Sequence, residues 1–244
     1  MSLGDGNKMS KGQRRGWFRY NVGMVRRSVG NNFGGKNGEV LLRAAAEGKA
    51  QIVRLTVDQY QAMIRDGIVP EDSTVELLYG MLVRKDRSVL GDDPMGHSPL
   101  HAAVVGLLTE LTAKINGPER HLQIQLPITI PPDHEPEPDG AIIIGGIRDF
   151  LDRLPRPGDV ACVIEVAHSS LERDAEDKAA IYARAGIEQY LIIDLREMRV
   201  VEMREAEVSS ASYRKMKNYQ KGEVVRVERG GGEALEVGVN ELLP

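Results

Sequence analysis

DVACVIEVAHSSLERDAEDKAAIYARAGIEQYLIIDL, Asp159 to Leu195, contains two continuous apolar runs separated by a helix-like stretch. The run VACVIEVA is bounded by turn residues, the pattern of a strand buried on both faces. YLIIDL repeats it. A helix is expected between them, over about Leu171 to Ala185. Ile181, Tyr182 and Ala185 lie three, four and seven residues beyond Lys178, and Gly186 stops the helix. One residue disturbs the first run: Glu165. A carboxylate is costly to bury unless a cation compensates it. A lysine or a divalent metal can do so, and Lys178 lies one helix further on.

Upstream, DGAIIIGG reads as another strand with Asp139 at its mouth. It is fed by PPDHEPEP, a rigid, acidic, proline-rich linker. HLQIQLPITI is strand-like, although Pro127 argues against a central strand at that point. A helix from about Leu100 to Ile115 is marked by Val104, Leu107, Leu108 and Leu111 and stopped by Asn116-Gly117-Pro118. VELLYGMLVRK reads as a hairpin turning at Tyr79-Gly80. Thr56 resembles a cap for a helix in which Val57, Tyr60 and Ile64 share a face. Glu39 to Gly48 can form a short helix. Downstream, MRVVEMRE, ASYRKMKNYQKG and VVRVE alternate like meandering edge strands, and Gly230 to Gly232 form a turn. The expected fold is α/β, with a mixed central sheet of DGAIII, ACVIEVA and QYLIIDL flanked by helices. The helix bearing Lys178 crosses between the last two strands.

Composition narrows the classes further. The chain of 244 residues, 41% hydrophobic, suits one large domain or a domain with a tail. Its single cysteine, Cys162, excludes a disulfide framework and an all-cysteine metal cluster. No apolar run reaches the ~18 residues of a membrane span. The basic N-terminus lacks an apolar signal core, so a cytoplasmic location is expected. The net charge of −4 is uneven: residues 1–50 carry ten basic and three acidic residues, and the remainder 22 basic and 33 acidic. This suggests a basic, largely disordered arm over residues 1–50 and an acidic domain over residues 51–244. Such an arm can hold phosphate backbone; the simpler reading is a disordered leader without function.

Asp139 and Glu165, on neighbouring strands, can jointly bind Mg²⁺ through oxygen. A metal so held polarises a phosphate, and a nearby lysine orients or helps deprotonate the attacking water. His97 and His101 are four residues apart, but Pro99 intervenes and no HExxH accompanies them, so zinc is not expected. His101 can contact a phosphate near the site. His168 can lie near the metal or serve as a cap, and Asp174 reads as an acid in the first turn of a helix.

Pro138-Asp139-Gly140, VIEVAHSSLERDAEDK and AAIYARAGIEQYLIIDL resemble the Uma-two family of restriction endonucleases, a branch of the PD-(D/E)XK nuclease superfamily. The resemblance runs from about Leu55 to Leu195. It implies a restriction-endonuclease-like fold and Mg²⁺-dependent cleavage of DNA, with Mn²⁺ as a substitute metal. Asp139 matches the motif aspartate and Glu165 the second metal-binding carboxylate. In the simplest superfamily pattern the lysine follows two residues later, where Ala167 stands; in this branch Lys178 takes its place. Glu76, in VELLYGMLV, matches an early family glutamate and is implied as a further acidic ligand, direct or through water. DNA is the implied partner and a membrane is not; a homodimer is compatible with the sequence. The alternative is a catalytically inactive nuclease-fold protein with a nucleic-acid-binding or regulatory role. Residue by residue, other readings stand: Asp139 as a turn residue, Glu165 as the partner of Lys178 in a buried ion pair without catalysis, Lys178 as a solvated helix lysine, Glu76 as a surface hairpin residue.

Overall fold

The Thr56 hydroxyl oxygen accepts a hydrogen bond from the Gln59 amide, and the Thr56 amide donates to the Gln59 side-chain oxygen, a capping box that starts α1 (Val57–Arg65). In the computed structural model the described residues are 45, 47–70, 73–84, 99–167 and 177–244. The readings of His97, His168, Asp174 and most of residues 1–50 lie outside them. Arg54–Pro244 form one compact unit.

Within that unit, Tyr60 of α1 donates its hydroxyl to the Val75 carbonyl at 2.9 Å, tying the helix to β1 (Val75–Leu78). β1 turns through Tyr79 and Gly80 into β2 (Met81–Arg84). Both turn residues have positive φ, 52° and 69°, the type I′ pattern whose twist suits a two-residue hairpin. Gly80 is required sterically as well: a Cβ there would meet the Arg54 Cβ at 2.5 Å and the Leu55 carbonyl oxygen at 2.8 Å.

The main sheet has six strands, β3 (Arg120–Ile124), β4 (Gly140–Ile144), β5 (Val160–Ala167), β6 (Gln189–Asp194), β7 (Arg199–Glu207) and β8 (Ser212–Gln220), in that spatial order. β5 and β6 are parallel and the other neighbours antiparallel. The three strands expected at the centre are therefore adjacent. β3 ends at Ile124, and Gln125 takes a φ of 48° before Pro127, consistent with a proline that cannot donate to a ladder.

Side-chain alternation divides the core between the two faces of the sheet. Cys162, Ile164 and Val166 pack with Val104, Leu108, Leu111 and Ile115 of α2 (Pro99–Ile115). On the same face lie Val225, Val227 and Val237 of a separate hairpin, β9 (Val224–Gly230) and β10 (Glu233–Gly238). On the opposite face Val163 and Ala167 pack with Tyr190, Ile192 and α3 (Ala179–Arg184). Each buried Leu, Ile or Val contributes roughly 1.5–3 kcal/mol, so both faces are strongly held.

Two sequence expectations need correction. MRVVEMRE is no edge strand: β7 lies between β6 and β8, with Val200 and Val201 buried. VVRVE belongs to the separate β9–β10 hairpin; its alternation is real, but its buried side covers the sheet instead of extending it. Of the helix expected over Leu171 to Ala185, residues 171–176 lie outside the described residues; the described part is a π-type turn at Asp177-Lys178 leading into α3.

Candidate active site

Glu165 occupies the sixth position of β5 and alternates onto the α3 face with Val163 and Ala167. Asp139 immediately precedes β4, the antiparallel neighbour of β5.

Lys178 enters from the next element. It sits at the N-terminal boundary of α3 with helical φ and ψ of −70° and −37°. Its ammonium donates to Glu165 Oε1 at 2.8 Å and to Glu76 Oε1 at 3.0 Å. Glu76, Glu165, Lys178 and Asp139 are 1%, 3%, 1% and 3% exposed. Burial of this depth excludes Lys178 as a solvated helix lysine and Glu76 as a surface hairpin residue. The Lys178 ammonium, placed between Glu76 and Glu165, offsets part of the cost of burying carboxylates in an apolar layer.

The proline-rich linker turns out to be a platform for Glu76. Glu137 donates its amide to Glu76 Oε1 at 2.9 Å. Leu77 and Glu135 exchange backbone hydrogen bonds of 3.3 and 2.7 Å, stitching β1 to the linker. The strained Tyr79 is held at three points. Its own amide donates to His134 Nδ1 at 3.0 Å, its hydroxyl to the Asp177 carbonyl at 3.2 Å, and the next amide, of Gly80, to the Asp133 carbonyl at 2.8 Å. A non-glycine residue at positive φ is uncommon and costly for a bulky side chain. Here it fixes the β1–β2 turn against the residue that immediately precedes Lys178.

Asp139 is fixed separately. Oδ2 accepts the Val166 amide at 2.9 Å and Oδ1 accepts the Gln125 side chain at 3.2 Å, with His101 Nε2 at 3.3 Å from Oδ1. His101, which the sequence allows near a phosphate, lies against Asp139. The chief omission is Tyr182, whose hydroxyl donates to Glu165 Oε1 at 3.0 Å. Its spacing of four from Lys178 was the available signal, because residues i and i+4 share a helix face. Burial raises the Tyr182 hydroxyl well above its usual pKa, reinforced by the negative charge of Glu165, so it remains a donor.

The sequence model of the Uma2 family, described as "Putative restriction endonuclease", matches residues 57–239. The chain belongs to the Uma2 family. A solved structure titled as a putative nuclease belonging to DUF820, from Anabaena variabilis, shares the fold with a TM-score of 0.57 at 15% identity. The alignment covers 77% of this chain and 97% of that one. No curated protein gives a significant match. The Uma2 chain is therefore a mixed α/β protein with a nuclease fold. No helix among the described residues is long and apolar enough to cross a membrane.

Whether a divalent metal suits the Uma2 site is a question of donor chemistry. Asp139, just before β4, and Glu165, within β5, offer carboxylate oxygens, the hard donors that Mg²⁺ prefers. Among the described residues, no group of three or more His, Cys, Asp and Glu side chains is placed to hold a metal ion. Mg²⁺ does not require one, since it keeps several waters and uses one or two carboxylates. The donor set fits.

Proposed function

We propose that this Uma2 protein is a metal-dependent endonuclease that hydrolyses DNA phosphodiester bonds. The observation that carries the reading is the meeting of Lys178 with Glu76 and Glu165 in a buried cluster, with a buried Asp139 just ahead of the neighbouring strand β4. Asp139 and Glu165 would hold Mg²⁺, or Mn²⁺ in its place, with Glu76 contributing directly or through water. Bound there, the metal would supply charge against a phosphoryl oxygen and lower the pKa of a water.

The protein's own groups have distinct tasks. The Val166 amide and Gln125 orient Asp139. The Glu137 amide holds Glu76. Lys178 orients the attacking water and offsets negative charge that develops on the phosphate. Because it is desolvated, that charge acts more strongly than it would in water. The reducing cytoplasm is the proposed setting, with a buried, unbridged Cys162.

Purified protein incubated with supercoiled plasmid should nick or linearise it in Mg²⁺ or Mn²⁺ and not in EDTA. Glu165→Ala and Asp139→Ala should each abolish cleavage and the metal-binding heat in calorimetry. A fluorescent RNA of matched sequence serves as the competing substrate. Plasmid left intact by a folded protein that binds Mn²⁺ would favour the inactive, nucleic-acid-binding alternative. Equal Mn²⁺ affinity in wild type and both variants would remove the metal assignment.

A further inference from the structure

We propose that Tyr182 is a positioning residue that sets the orientation of Glu165 for metal binding, an inference that rests on the metal-dependent reading above. The Tyr182 hydroxyl and the Lys178 ammonium reach the same carboxylate oxygen, Glu165 Oε1, at 3.0 and 2.8 Å. Both donors come from one face of the same helical segment, four residues apart, so the backbone of α3 fixes the angle between them. Two donors on one oxygen leave the carboxylate much less freedom to rotate than either alone.

The tyrosine is itself immobilised. It is fully buried, and its ring meets Tyr190 edge to face, with centroids 5.1 Å apart and planes at 66°. A buried tyrosine usually finds an acceptor, and a structural one readily takes a backbone carbonyl. Tyr213, packed against the same cluster, does so, donating to the Ile187 carbonyl at 2.8 Å. Tyr182 instead spends its donor on the carboxylate assigned to the metal. Hydrogen-bond partners of metal ligands typically change affinity or activity by 10–100-fold when removed.

Tyr182→Phe deletes only the hydroxyl and leaves the ring in place; Tyr213→Phe is the matched control. Isothermal calorimetry with MnCl₂ should show affinity weakened about tenfold or more in Tyr182→Phe and unchanged in Tyr213→Phe. Plasmid cleavage by Tyr182→Phe should be slow at limiting Mn²⁺ and recover toward the wild-type rate as Mn²⁺ is raised. KM for DNA should stay the same. A hydroxyl that serves only the fold would produce neither the metal rescue nor the contrast between the two variants. Wild-type Mn²⁺ affinity in folded Tyr182→Phe overturns the inference while leaving the endonuclease reading intact. Absence of Mn²⁺ binding in the wild-type protein overturns that reading, and this inference with it. Should Tyr182→Phe fold poorly, the double-mutant cycle with Glu165→Gln in urea still decides: coupling between the two changes is expected, and none would show that the hydroxyl does not act on Glu165.

Discussion

Lys178 joins two roles that sequence reasoning treats as alternatives. A lysine serving only the chemistry would be dispensable for stability, and one serving only as counter-ion would be dispensable for cleavage. Its ammonium bridges Glu76 and Glu165, and all three are almost completely buried. Removing it strands two carboxylates, a change that typically costs 3–5 kcal/mol for a broken buried pair. Lys178→Met should therefore lose both: cleavage by about 100-fold or more, and stability by about 3 kcal/mol or more in urea denaturation. Adding Glu165→Gln to it should restore part of the stability and none of the activity. Lys178→Arg retains charge with a different reach and donor geometry; it should keep more stability than Lys178→Met and still cleave poorly. Wild-type cleavage by folded Lys178→Met would end the catalytic assignment. Glu165 stood out in sequence because a charge interrupts an apolar strand, whereas Glu76 was singled out only by the family resemblance. Tyr182 was not, because a tyrosine at helical spacing reads as core, and nothing in the residue type reveals which acceptor it meets.

The β1–β2 hairpin brings Glu76 to the cluster, and its turn is the vulnerable joint. Gly80 lies at φ 69°, with no space for a Cβ between Arg54 and Leu55. Gly80→Ala should destabilise the protein by more than about 1 kcal/mol and reduce cleavage as Glu76 is displaced, measured by thermal unfolding and plasmid assay. The same turn gives a pH dependence. His134 Nδ1 accepts the Tyr79 amide and Nε2 lies 3.3 Å from Asp133 Oδ1, so the bound imidazole is neutral. Burial lowers its pKa; Asp133 pulls it back up, while Arg184 and Arg54 push it further down. The unfolded chain therefore binds the proton more readily than the folded one. The contribution of His134 is fully present above about pH 6.5, the unperturbed value, and is lost as pH falls toward the depressed folded value. Glu135, raised by burial, works in the opposite sense: its contribution shrinks as pH rises through its folded value. Comparing wild type with His134→Phe isolates the first effect. Acidification from pH 7.5 to 5.5 should lower the melting temperature of wild type more than that of the variant; equal slopes would remove His134 from the account. The hairpin itself was readable from VELLYGMLV. Its docking was not, because the linker PPDHEPEP shows only rigidity and charge, while the backbone hydrogen bonds of Glu135 and Glu137 that seat β1 and Glu76 have no sequence signature.

Across the whole molecule, the difficulty is charge. Residues 51–244 carry 22 basic and 33 acidic residues, yet the proposed substrate is a polyanion. The exposed edge strand β8 offers Arg214, Lys215 and Lys217, but Glu205 pairs with the first two and Lys217 lies over the Tyr219 ring at 4.1 Å. Lysines on an edge strand also have a sufficient role in discouraging edge-to-edge pairing. Residues 1–50, with ten basic and three acidic residues, hold the chain's most concentrated excess of positive charge. Each phosphate contacted by a lysine or arginine releases counter-ions and steepens the fall of log affinity with log salt by about 0.9 on duplex DNA. Deleting residues 1–38 should therefore weaken binding to duplex DNA at low salt and make its salt dependence shallower. Catalysis at saturating DNA should persist, since Glu76, Asp139, Glu165 and Lys178 all lie in Arg54–Pro244. Fluorescence anisotropy over a salt series, in Ca²⁺ to limit cleavage, gives the slope; single-turnover cleavage gives the chemistry. An unchanged slope would show the basic segment to be a bystander. A shallower slope together with a slower saturated rate would mean that the segment also helps to arrange the bound DNA over the Lys178 cluster.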